Sequence, residues 1–323
     1  MSDRQRTDKP KLLRKILFSV VAIAVIGVIA FWLLTAPAAL SASMLGPHTA
    51  NLANGKAMFF AGGCAGCHAT PHQDDPTKLG GGRGLKTPFG TFYVPNISPD
   101  RSDGIGAWRE IDFVNALLKG VSPSGEHFFP AFPYTSYRHM KLDDVRDLFA
   151  YLKTLPPVQG KVRAHDVTFP FNIRRAVGLW KLLFLDDTPL KDDPTKSAAW
   201  NRGAYLVNGP GHCAECHSPR TLFGSIKTGQ RFAGAPDLEG EGWVPNITQR
   251  GLAKWSERDI ANLLAYGELP DGNDAGGSMV DVVRNTSKLS DQDRQAMAVY
   301  LKSLPPVDGP TPPPVKRKAQ SAP

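Results

Sequence analysis

Hydrophobic and polar positions along this 323-residue chain fall into three patterns. The first is a continuous apolar run at residues 16–34, "ILFSVVAIAVIGVIAFWLL", in which only Ser19 and Gly27 lie outside the hydrophobic set. A helix of that length reaches roughly 28 Å, the thickness of a bilayer's hydrocarbon core. Its Leu, Ile, Phe and Val residues together favour insertion by about 4 to 8 kcal/mol, as an upper estimate. The second pattern is amphipathic. "EIDFVNALLKG" (110–120) and "LFAYLKTLPPV" (148–158) carry apolar residues at helical spacing and stop at Gly or Pro-Pro. The third, "FPFNIRRAVGLWKLLFL" (169–185), repeats Ile173, Val177, Trp180 and Phe184 at helical spacing beside Arg174, Arg175 and Lys181. Alternating strand patterns are almost missing.

The amphipathic segments recur. "ERDIANLLAYG" (257–267) repeats 110–120, and "MAVYLKSLPPV" (297–307) repeats 148–158. "VPNIS" (94–98) matches "VPNIT" (244–248), and "NGKAMFFAGGCAGCHA" (54–69) resembles "NRGAYLVNGPGHCAECHS" (201–218). Trp108 and Trp255 stand at matching places ahead of Gly120 and Gly267. One domain is therefore written twice, over 48–160 and 196–310. Residues 161–195 form a connector whose amphipathic helix packs between the domains or lies on a membrane or partner. Residues 311–323 read as a disordered tail.

Charge sharpens the membrane reading. The net charge is +8. Six basic residues against Asp3 and Asp8 precede Ile16, and Lys316, Arg317 and Lys318 sit in the tail. The body between is nearly neutral, which argues against a nucleic-acid partner. No basic residue follows the apolar run until Lys56. The positive-inside rule then makes residues 1–35 a cytoplasmic basic segment and transmembrane anchor, with everything later outside the cytoplasmic membrane. The bland alternative is a cleaved signal peptide, because "TAPAALSAS" has small residues at cleavage-like spacing.

An exported body is exposed to oxidising conditions, where cysteines usually pair as disulfides. Here all four lie in two C-x-x-C-H motifs: Cys64, Cys67 and His68, then Cys213, Cys216 and His217. That spacing is the attachment signature of c-type haem. Two thiols reach the two porphyrin vinyl groups, and the following imidazole meets the iron. A zinc site would bring its C-x-x-C pairs within about 20 residues, and a thioredoxin-like dithiol needs one motif, not two. Two covalently bound haem c groups are expected. A buried porphyrin also supplies apolar bulk that domains so rich in Gly and Pro lack.

The paired motifs, "LKTPFGTFYVPNISPD", "GIGAW" and "FPAFPYTSYRHM" resemble the membrane-anchored dihaem cytochromes c, in particular the cytochrome subunits of periplasmic alcohol and aldehyde dehydrogenases. The likeness covers most of residues 50–308. It implies a mainly α fold with two tandem class I-like cytochrome c domains after the transmembrane helix. It also implies electron transfer between a dehydrogenase and a quinone or oxidase branch. In that family a Met before the last helix is the far-side iron ligand. Met279 fits in the second domain. In the first, many relatives read A-Met-Pro-Tyr where this chain has Phe132. Met140 is then either the ligand or a hydrophobic staple at the start of the last helix. His139, His127 and an open iron are the other readings. His48, His72, His165 and His212 are expected to be solvated or loop residues, with His212 a candidate to support Cys213.

The leading expectation is a relay that passes single electrons and has no catalysis of its own. A dihaem peroxidase or thiosulfate-dehydrogenase-like oxidoreductase, with the first haem as catalytic site, is the enzyme alternative. A structural anchor for a soluble dehydrogenase is the third.

Overall fold

The computed structural model describes residues 4–186, 188–237 and 242–312. Most of the expected disordered tail lies outside them. Helix α1 (Arg4–Leu34) leads the chain, and its apolar span Lys11–Leu34 is not covered by the rest of the molecule.

The protein is mainly helical. After α1 come α2 (Leu52–Ala61), α3 (Cys64–His68), α4 (Glu110–Lys119), α5 (Tyr134–Tyr137) and α6 (Leu142–Leu152). The connector supplies α7 (Arg174–Phe184). The second half repeats the order with one added turn of helix: α8 (Ala198–Asn208), α9 (Ala214–His217), the added α10 (Gln249–Leu252), α11 (Glu257–Tyr266), α12 (Met279–Thr286) and α13 (Asp291–Ser303).

In each half the first and last helices cross at a glycine. A Cβ on Gly55 would overlap the Asp147 carbonyl, and one on Gly203 would overlap that of Ala296. The small residue in "NGKA" and "NRGA" is what lets the backbones meet. The α2–α6 crossing is tied by Asp147, whose carboxylate accepts from Asn51 N (2.8 Å) and Asn54 Nδ2 (2.8 Å) and contacts His48 Nε2 at 2.7 Å. His48 lies in a loop, as expected, but its ring is a structural partner of Asp147 rather than solvated. The middle helices stop as their glycines predict, with Gly120 (φ 57°) and Gly267 (φ 84°) in the left-handed region. Ser256 and Asp259 form a capping box at the start of α11.

The described strands are short. β1 (Gly84–Thr87) and β2 (Gly90–Tyr93) form a hairpin, and the connector adds β3 (Asp166–Val167) in antiparallel order β1-β2-β3. β4 (Ala235–Pro236) pairs with β5 (Trp243–Val244). The hairpin was hidden in the sequence because its register, Leu85 opposite Phe92, follows from the two-residue Pro88–Phe89 turn and not from alternation. The main apolar core runs through both halves, from Met58, Phe59 and Leu148 to Leu206, Met297 and Leu301, with a smaller cluster of Phe92, Phe129 and Val177.

Helix α7 touches both halves. Lys181 Nζ donates to the carbonyls of Lys119 (2.7 Å) and Gly120 (2.8 Å), and Trp180 Nε1 donates to Phe223 O (2.8 Å). It also meets the end of α1, where Gly178 packs on Thr35. Packing between the halves and contact with the apolar helix α1 occur together.

Candidate haem sites

Both C-x-x-C-H motifs fold as a short helical turn that puts the two cysteines and the histidine on one side of the chain. The histidines are then fixed identically. His68 Nδ1 lies 2.9 Å from Pro95 O, and His217 Nδ1 lies 2.7 Å from Pro245 O. A carbonyl accepts only, so Nδ1 carries the proton and Nε2 keeps its lone pair for a metal. Each histidine's own carbonyl accepts from a glycine of the facing loop, Gly81 N at 2.9 Å and Gly234 N at 2.8 Å.

What holds each proline carbonyl in place is the next residue. Asn96 Nδ2 donates to Val158 O (2.7 Å), and Asn246 Nδ2 donates to Val307 O (2.8 Å). Each acceptor belongs to the Pro-Pro-Val that ends its half. Each Asn also turns its side-chain oxygen back to accept from the residue two further on, Ser98 N or Thr248 N, both at 2.9 Å. "VPNI" is therefore a clamp that orients the imidazole. The sequence carried the signal, a second repeated spacing inside the duplication, without revealing its role.

Electrostatics suit the same use. Burial pushes His68 down to about 4, against the opposing pull of the Pro95 carbonyl, and His217 is lowered for the same reason. Both imidazoles are neutral at ordinary pH, as metal ligation requires. Burial, then the neighbouring thiol, pushes Cys64 and Cys213 up to about 12. A neutral buried thiol is a poor zinc ligand and a poor redox nucleophile. Among the described residues no group of three or more His, Cys, Asp or Glu could hold a metal by protein donors alone. The residues fit covalently held haem c.

The two motifs also meet each other's halves. Glu215, the third residue of the second motif, accepts from Ser136 Oγ (2.7 Å) and Thr135 Oγ1 (2.6 Å) of α5 and pairs with Arg220 (2.7 Å). Gly66 holds the same position in the first motif. It packs against Asp281 and Asn285 of α12, and its carbonyl accepts from Arg83 Nη1 at 2.7 Å. Arg83 in turn pairs with Asp281 at 3.6 Å. So each far-side segment rests on the other half's motif. At the centre, Gly62 O lies 3.2 Å from Tyr137 Oη and 3.3 Å from His212 Nε2. His212 thus joins the two attachment loops, a stronger role than supporting Cys213.

The far-side candidates separate. Met279 opens α12, half-buried against the core. Met140 is buried one residue before Lys141, the N-cap of α6, where Leu289 stands before the Ser290 cap of α13. Phe132 packs among Phe128 and Tyr137 with ring centroids 5.6 and 5.7 Å apart. His127 Nε2 is spent on Thr35 O at 2.9 Å, and His139 lies against Gly209 of the second half.

Comparison with known proteins agrees with this geometry. Residues 52–156 match the cytochrome c family. A diheme c-type cytochrome of Cereibacter sphaeroides is 45% identical over 88% of this chain and 96% of its own length. The chain therefore belongs to the dihaem c-type cytochromes, whose cofactor is covalently bound haem c and whose work is electron transfer. It is also 37% identical to the cytochrome c subunit of a quinone alcohol dehydrogenase from Gluconobacter oxydans, over 76% of this chain and 52% of that subunit. The cytochrome subunit of a fructose dehydrogenase from Gluconobacter japonicus is 34% identical over 80% of this chain and 53% of the subunit. The chain spans about half the length of these two dehydrogenase subunits.

Proposed function

We propose that this cytochrome carries two haem c groups and relays single electrons on the periplasmic side of the cytoplasmic membrane, from a dehydrogenase to a quinone or oxidase branch. Cys64 and Cys67 hold the first group and Cys213 and Cys216 the second, with His68 and His217 as iron ligands. α1 is the single-pass anchor. The observation that carries the reading is the pair of matched His–Pro carbonyl contacts, at His68 and His217, each on the turn that follows its cysteine pair. Bound haem supplies a one-electron iron couple, and the chain's own residues tune and position it. Pro95 and Pro245 fix the imidazole tautomer. Met279 would supply a second, thioether-type ligand at the second iron, and Met140 at the first. The reciprocal docking through Glu215 and Gly66 holds the two sites at a fixed separation, which suits transfer between them. The dehydrogenase subunits among its relatives support a dehydrogenase as electron donor.

The test is a pyridine haemochrome assay with the ferric spectrum of the purified full chain. Two haems per chain, both low-spin, are expected. A single haem would overturn the assignment. A high-spin ferric signal from the first site would favour the peroxidase-like reading, which Phe132 motivates.

A further inference from the structure

Helix α7 links the span of α1 to the body, and its faces differ in kind. Its cations are occupied. Besides Lys181, Arg174 Nη1 donates to His127 O (3.0 Å) and its guanidinium lies 4.8 Å from the Phe129 ring. Arg175 Nε donates to Thr35 Oγ1 (3.0 Å), and its guanidinium stacks 4.4 Å over Trp32 near the end of the apolar span. What faces solvent is leucine: Leu179, Leu182 and Leu183 are 43%, 57% and 65% exposed.

Spacings of three and four put these leucines on one stripe. Arg175, four residues before Leu179, heads that same stripe. The side of α7 that grips the outer end of α1 is thus the side that presents the leucines. Leu183 lies only about 12 Å along the helix from Arg175. The apolar surface continues into the second half, where the Phe184 ring stacks on Phe223 at 5.8 Å and the neighbouring Leu222 is 94% exposed. A contiguous apolar patch of this kind marks a contact surface. Its continuity with the end of α1 says which one.

We infer that the leucine stripe of α7, with Leu222 and Phe223, lies in the outer interfacial layer of the bilayer, so that the body is held to the membrane at a second place. This rests on α1 being the anchor. The occupant is phospholipid at the boundary between headgroup and acyl chain. Because the three α7 cations are turned to protein groups, the contact is apolar and does not depend on anionic lipid. It would orient the second half toward the membrane surface, with the loop around Leu222 at the boundary.

The experiment places a photoreactive p-benzoylphenylalanine in the full chain, in membranes of the producing cells, and weighs the adducts after irradiation. Three single substitutions are compared: at Leu183, at Phe18 within α1, and at the exposed Tyr266 of α11 as an aqueous control. Phospholipid adducts are expected at Leu183 and Phe18, with at least tenfold less at Tyr266. Lipid at Phe18 with only protein adducts or none at Leu183 would overturn the inference and leave the anchor standing. No lipid at Phe18 would instead overturn the anchor. Equal lipid labelling at Leu183 and Tyr266 would also defeat the proposal.

Discussion

Ser136 Oγ donates to Glu215 Oε1 across 2.7 Å, tying the segment that carries Phe132 to the attachment motif of the other half. Burial alone would raise the Glu215 carboxyl. Arg220 and the hydroxyls of Thr135 and Ser136 outweigh it and hold the group ionised, below the usual carboxylate range. Replacing Glu215 by Ala strips the half-buried Arg220 and two hydroxyls of their shared acceptor. Breaking such a pair costs about 3 kcal/mol or more, so the denaturant midpoint should fall with the slope unchanged. A midpoint within error of the parent would mean that the halves do not depend on this contact.

Asn96 and Asn246 should act alike and independently. Asn96→Leu removes the shorter of the two donors to the Val158 carbonyl, leaving Ser98 Oγ at 3.3 Å, at a cost of about 1 kcal/mol, and frees the Pro95 loop behind His68. The first haem's reduction potential should shift while the second holds. Asn246→Leu should reverse the pattern. Equal shifts at both sites from either change would disprove the clamp.

Methionine-to-iron charge transfer separates the far-side candidates. Met279→Leu should remove the band belonging to the second site. Met140→Leu should remove the first site's band if its thioether ligates. A spectrum that does not change, with a stability loss under about 1.5 kcal/mol, would leave Met140 as the staple that its position before Lys141 also suits.

His127 should make the junction of α1 and α7 sensitive to acid. Burial, then Lys181 and Arg175, lower this histidine in spite of its bond to Thr35 O. The ring is neutral when folded, and its buried Nδ1 has no hydrogen-bond partner to receive a proton. The unfolded chain binds the proton near pH 6.5, so stability from this group is complete above that pH. It declines below it by at most about 1.4 kcal/mol per pH unit. His127→Gln keeps a donor for Thr35 and should flatten the slope between pH 5 and 6.5, read by thermal unfolding. An identical slope would place the titration elsewhere.

The sequence by itself determined the chemistry and its duplication. Cysteine spacing, an adjoining histidine and the repeated VPNI and Pro-Pro-Val segments are local, because two thiols and an imidazole must sit on one turn to share one porphyrin. The apolar run and its basic flank were legible for the same reason, since a bilayer reads length and charge along the chain. Tertiary structure decided the rest. That Pro95 faces His68, that Glu215 is held by Ser136, and that the cations of α7 are occupied depends on contacts between residues far apart in the chain. The stripe of leucines looked like one more amphipathic face until Arg175 was found on Trp32. Which side of a helix is covered depends on what folds against it, and periodicity alone carries no record of that.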